Sequence, residues 1–188
     1  MPRRFSQAIS EGDGISLLAI IGDLDAARAA EDEGAEGLVV AAALAGLREA
    51  TELPILWSAR GAVQEATGGG ADAWLLPVEG LEDEDGRLER LERQGRDAGL
   101  ECVVAVGDED ELRLALDRLD PEIFLLTGHE LDHVLSLLPD VPAGKLAVAE
   151  VDVRERRDVA ELERAGVDAV IVQAEHVSLL SGEPQPEP

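Results

Sequence analysis

The feature of this sequence that most constrains its fold is an alternation: short apolar runs without helical period separate polar segments that carry one. The runs are "ISLLAII", "GLVV", "PILW", "AWLLP", "CVVAV", "IFLLT", "LAVAEV" and "AVIVQ", eight in all and four to seven residues long. That length suits a strand and is too short for a buried helix. Their near-continuous apolarity is the pattern of parallel strands covered on both faces. The segments between them carry acidic starts or glycine ends: Asp23 to Glu33 before Gly34 has both, Asp108 to Leu119 has the acidic start, and Arg154 to Ala165 before Gly166 has the glycine end. Acids in a first turn complement the helix dipole, and glycine supplies the left-handed residue that ends a helix. Asp23 and Asp108 read as N-caps.

Eight strand-then-helix units predict an α/β fold closed as a single (β/α)8 TIM barrel rather than an open sheet. The return from helix to strand repeats as "DEGAEGLVV", "GGGADAWLL", "DAGLECVVAV" and "RAGVDAVIV". At 188 residues the chain is shorter than the roughly 200 residues at the low end for this fold, which predicts minimal loops. A composition 45% hydrophobic supports one core and one domain. The expected organisation is an N-terminal extension with a short helix over 1–14, the barrel over 15–180, and a disordered tail "SGEPQPEP" over 181–188.

Charge excludes several partners. The 41 acidic residues against 16 basic ones give a formal net charge of −25. Nucleic acid and anionic membranes are bound through clustered Lys and Arg, so neither is expected here. No run of about 18 apolar residues and no signal-like N-terminus occur, which predicts a cytoplasmic protein. The acidity opposes self-association and predicts a monomer. Nearly all the basic residues are arginine, and Lys145 is the only lysine. Cys102, alone in the chain and inside "CVVAV", has no internal disulfide partner and reads as a buried, inert thiol.

In such barrels chemistry sits where the strands end, at the C-terminal mouth. The third strand, in "LPILWSARG", delivers Trp57, Ser58 and Arg60 there, none of them a strong acid or base. Other strand ends bring Glu79, Thr127, His129, Glu150, Asp152, Gln173 and Glu175. Glu150 and His129 are the catalytic candidates, because a carboxylate and an imidazole can exchange a proton. Trp57, Ser58, Arg60, Thr127, Asp152 and Gln173 are the candidate contacts for a small molecule at the mouth. Facing the interior, Glu150 would need a partner such as Arg60 or His129. His129 and His133 have the i, i+4 spacing of a helical metal pair, with Glu130 and Asp132 nearby. One such spacing in an acidic chain is weak, and no metal is assigned. Trp57 and Trp74 suit core or rim packing, and Trp57 also suits a pocket wall. The glycines of "TGGGAD" precede a strand, the wrong order for a phosphate cradle.

The stretches "PRRFSQAISEGDGISLLAIIG", "LREATELPIL", "GGGADAWLLPVEGLEDE", "AGLECVVAVGDEDELRLAL" and "VAEVDVRERRDVAELERAGVDAVIVQAEHV" together resemble the indole-3-glycerol-phosphate synthase family, in order and over nearly the whole chain. The resemblance implies a (β/α)8 barrel that closes and decarboxylates a carboxyphenylamino ribulose phosphate in tryptophan biosynthesis, without metal or organic cofactor. It also exposes departures. The family's general-acid lysine on the third strand falls on Ser58, and the glutamate and second lysine of its first strand fall on Ile20 and Gly22. A glutamate of the fifth strand falls on Ala105, and an asparagine and arginine of the sixth fall near Thr127 and His129. Only Glu150 is retained. The Ser-Gly phosphate turn after the seventh strand becomes Val151 and Asp152, and the phosphate glycine after the eighth becomes Gln173.

A hydroxyl is a far weaker proton donor than a tuned ammonium, so Ser58 does not replace the lysine. Each carboxylate beside a phosphate, here Asp152 and Glu175, costs roughly 1–4 kcal/mol at contact distance, and Arg154 can offset one of them. The expectation is a synthase-like barrel without synthase activity, with no cofactor. The alternatives are altered chemistry on a small neutral or cationic molecule, or residual indole-3-glycerol-phosphate synthase (carboxy-lyase) activity.

Overall fold

Each apolar run becomes a strand. The computed structural model of the chain describes residues 4–10, 14–59, 63–81 and 86–181. A leading helix α1 (Arg4–Ser10) precedes β1 (Ser16–Ile20), α2 (Leu24–Asp32), β2 (Gly37–Val40) and the single turn α3 (Leu47–Ala50). Next come β3 (Ile55–Trp57), α4 (Val63–Gly68), β4 (Ala73–Pro77), α5 (Arg87–Asp97), β5 (Glu101–Val106) and α6 (Glu109–Arg118). The last units are β6 (Ile123–Thr127) with α7 (Leu131–Leu137), β7 (Leu146–Glu150) with α8 (Arg156–Ala165), and β8 (Ala169–Gln173) with α9 (Val177–Leu180). The strands are all parallel and form a closed barrel in sequence order, with β8 returning to pair with β1. The (β/α)8 architecture expected from the alternation is therefore the fold. No helix among the described residues is long and apolar enough to cross a membrane.

Helix starts follow the acids. The Asp23 carboxylate accepts the Ala26 N–H at 2.8 Å and that of Asp108 accepts the Glu111 N–H at 2.9 Å, so both are N-caps. At the other end of α8, Gly166 adopts φ 100°, a left-handed conformation that a side chain would strain. The single lysine lies at the N-terminal face, just before β7, where Lys145 Nζ pairs with Asp120 Oδ1 at 2.7 Å.

Two apolar layers hold the barrel. One fills its interior with residues from all eight strands, from Leu18 and Val39 through Val148 and Ile171. The other lies between strands and helices and includes Trp57 and Trp74, which are register neighbours on β3 and β4. The extension also contributes to the core. Phe5 and Ile9 of α1 join the interior layer, while the Glu101 carboxylate at the start of β5 accepts the Phe5 and Ser6 N–H groups at 3.2 and 2.9 Å. These are donors of the first turn of α1, where an anion is favoured. The helix thus closes the N-terminal end of the barrel. The tail beyond Ser181 lies outside the described residues.

Candidate functional site

Strand alternation decides which side chains reach the barrel axis. On β3, Leu56 belongs to the interior layer and Trp57 to the layer beneath the helices. Trp57 is 3% exposed, and a Cβ placed on Gly69 would stand 3.0 Å from its Cζ3. It packs against the C-terminal end of α4, not the mouth, which corrects its reading as a pocket wall: the strand's phase turns it outward. Ser58 returns to the inward phase, but its hydroxyl donates to the Val40 carbonyl at 3.1 Å. Arg60 lies outside the described residues.

The same phase carries Thr127, Glu150 and Gln173 inward, two residues beyond the interior-layer residues Leu125, Val148 and Ile171. Together with His129 and Asp152 they line a cavity of about 490 Å³ at the C-terminal mouth over β6, β7 and β8. Ile20 and Ile171 supply an apolar wall, and His176 joins from the turn after β8. Sequence reasoning missed His176, although it follows Gln173 by only three residues. Glu175 on that turn is exposed and does not line the cavity.

Glu150 ends β7 and reaches solvent at the mouth. Of the partners expected for it, Arg60 lies outside the described residues; among the described residues its carboxylate has no hydrogen bond or ion pair, and partial desolvation raises its pKa above the usual carboxylate value. Asp152 differs. Its carboxylate accepts the Arg154 Nε–H at 3.0 Å, and this hydrogen bond with its charge holds the Asp152 pKa below the ordinary value. The Thr127 hydroxyl donates to the Val106 carbonyl at 3.3 Å, so its oxygen keeps its acceptor capacity.

The histidine pair does not form a metal site. Glu130 is the N-cap of α7, so His129 precedes the helix and the two rings do not share a helical face. His133 Nε2 instead contacts the Gly107 carbonyl at 2.7 Å. Among the described residues no three His, Cys, Asp or Glu side chains are grouped to hold a metal ion. Cys102 is half-buried, and burial pushes its thiol pKa upward, as expected of an inert cysteine.

Three backbone donors downstream of β7 and β8 are engaged by the chain's own carboxylates. Asp158 Oδ2 accepts the N–H groups of Arg154 and Glu155, both at 3.1 Å, as part of a capping box at the start of α8. Glu33 Oε2, from the end of α2, accepts the Ser178 N–H at 3.2 Å. Barrels that bind phosphate hold it with backbone donors and helix starts in this region; here these three serve as helix-start contacts within the chain.

The molecule is thus a (β/α)8 barrel with a cavity at its C-terminal mouth, the architecture and location in which barrel enzymes carry their sites. It belongs to the indole-3-glycerol phosphate synthase family: the family model of that name matches residues 59–178. An indole-3-glycerol phosphate synthase of Acidithiobacillus ferrooxidans (strain ATCC 53993 / BNL-5-31) is 37% identical over 146 residues, covering 69% of this chain and 52% of that protein. One from Geobacillus sp. (strain WCH70) is 31% identical over 140 residues, covering 69% and 54% respectively. The chain therefore matches about half the length of these relatives. A solved structure described as a structural study from Aquifex aeolicus VF5 superposes with a TM-score of 0.68 at 13% identity, over 96% of this chain and 92% of that one. That likeness concerns the fold alone.

Proposed function

We propose that this barrel no longer performs the synthase reaction of its family and has kept the scaffold with Glu150 at its mouth. The observation that carries the reading is the position of Lys145, the only lysine. It sits at the opposite end of β7 from Glu150, about 17 Å away by strand rise, in an ion pair with Asp120. No lysine reaches the mouth to donate a proton, and the hydroxyl at the matching position, Ser58, is held by the Val40 carbonyl. The engagement of three backbone donors after β7 and β8 by Asp158 and Glu33, and the acid Asp152 on the turn after β7, support the loss of a phosphate grip. The test is an indole-fluorescence assay of the purified chain with the carboxyphenylamino deoxyribulose phosphate, together with calorimetric titration by inorganic phosphate. Neither turnover nor heat of binding is expected. Turnover abolished by Glu150→Gln would overturn the proposal.

A second reading, altered chemistry on a neutral or cationic small molecule, is favoured by one observation: Glu150 and His129 line the same cavity. A carboxylate and an imidazole at one mouth suffice for proton transfer to or from a bound ligand.

A further inference from the structure

We infer that the mouth cavity binds a small organic monocation, an alkylammonium, with Glu150 as its counter-ion and the Ile20–Ile171 wall as the bed for its apolar body. The inference rests on the loss of the phosphate grip and specifies what that loss leaves room for. The volume of about 490 Å³ falls within the roughly 300–1,000 Å³ range of small-molecule sites. Its walls divide by chemistry. Ile20 and Ile171 offer apolar surface, while Glu150, Gln173 and Thr127 offer acceptors.

Charge selects among ligand classes. Glu150 carries no hydrogen bond or ion pair among the described residues, and Arg154, the nearby cation, is engaged by Asp152 at 3.0 Å. An anion would meet the carboxylates of Glu150 and Asp152, and three backbone donors downstream of β7 and β8 are taken by Asp158 and Glu33. A divalent metal needs six or more oxygen ligands for Ca²⁺, or a near-ideal octahedron for Mg²⁺, and no group of three candidate ligands exists among the described residues. An ammonium has three donors. The Glu150 carboxylate, the Thr127 hydroxyl oxygen and the Gln173 amide oxygen can accept them, and Thr127 and Glu150 are register neighbours on β6 and β7. Desolvation, which already raises the Glu150 pKa, strengthens attraction to a cation that enters the same cavity.

The test is a nuclear magnetic resonance titration of the ¹⁵N-labelled full chain with four probes: phenethylammonium, 2-phenylethanol, phenylacetate and inorganic phosphate. The reporters are the Gly128 amide, which donates to the Glu150 carbonyl at 3.1 Å, and the Gln173 side-chain amide. Phenethylammonium should shift both saturably, and the isosteric alcohol should bind more weakly. Phenylacetate and phosphate should leave both unmoved. Glu150→Gln should weaken phenethylammonium by about tenfold, the factor that a charge-assisted contact of about 1.4 kcal/mol represents, and should weaken the uncharged alcohol less. Glu150→Asp, which keeps the charge, should restore most of the affinity. No saturable shift with the ammonium, equal affinity for the alcohol, or an unchanged ammonium affinity in Glu150→Gln would each overturn the inference while leaving the loss of synthase chemistry intact. Saturable phosphate binding at these reporters would overturn the reading on which it rests.

Discussion

Asp158 Oδ2 stands 3.1 Å from the backbone nitrogen of Arg154, so the turn after β7 is tied to the first turn of α8 by a carboxylate of the chain itself. The same oxygen takes the Glu155 N–H at 3.1 Å. Removing it orphans two donors at a helix start. Asp158→Ala should cost about 0.5–2 kcal/mol in chemical denaturation, the range for lost caps. An unchanged midpoint would mean that water satisfies those donors equally well.

Glu150 makes a prediction of the opposite sign. Desolvation raises its folded-state pKa above the unfolded value, so the folded protein holds this proton more tightly than the unfolded chain. Its stabilising contribution is present below the unfolded carboxylate value, about 4.3, and is lost as pH rises through the folded value. At pH 7 an ionised Glu150 is a burden that glutamine lacks. Glu150→Gln should therefore melt at the same temperature or higher at pH 7, with the gap closing toward pH 4. A lower melting temperature at pH 7 would reveal a stabilising partner for the carboxylate.

These two residues also mark what sequence makes legible. Strand number, barrel closure and the caps Asp23 and Asp108 follow from periodicity and from side chains that act within three residues of themselves. Thr127 and Gln173 end apolar runs and Glu150 stands one residue before the end of its own, and all three face inward. Trp57 also ends its run, yet faces outward, since β3 holds only Ile55 to Trp57 and the phase is set by Leu56. The Glu33 contact to Ser178 joins residues 145 apart, and no local pattern announces it. Phe5 and Ile9 presented only a short amphipathic stretch, whose docking surface exists once eight strands have closed around it.

Close packing around Trp74 yields a contrast between two glycines. A Cβ on Gly95, inside α5, would stand 2.0 Å from Trp74 Nε1 and 2.6 Å from Cε2. The indole is 3% exposed and has no open space to enter. Gly95→Ala should lose roughly 1–3 kcal/mol to overpacking, despite alanine's better helix propensity. Gly68, at the end of α4, has nothing within 4 Å of its own added Cβ. Gly68→Ala should be neutral or gain up to about 1 kcal/mol. Equal effects on urea midpoints would show that the helix α5 moves away from β4 without penalty.

The closing of the N-terminal end by α1 sets the last prediction. Phe5 is fully buried in the interior layer with Leu18, Leu56 and Val103, and its N–H is held by Glu101. Truncating the ring removes apolar contact and leaves a void that the strands cannot collapse to fill, because barrel closure fixes their spacing. Phe5→Ala should cost about 3–5 kcal/mol in global stability. Phe5→Leu, which keeps much of the volume, should cost less. The mouth lies at the other end of the strands, so neither variant should alter binding of phenethylammonium while the chain remains folded. A Phe5→Ala protein with wild-type stability would show that α1 is dispensable to the barrel, whereas a loss matching that of Glu101→Ala would show that ring and helix start act as one attachment.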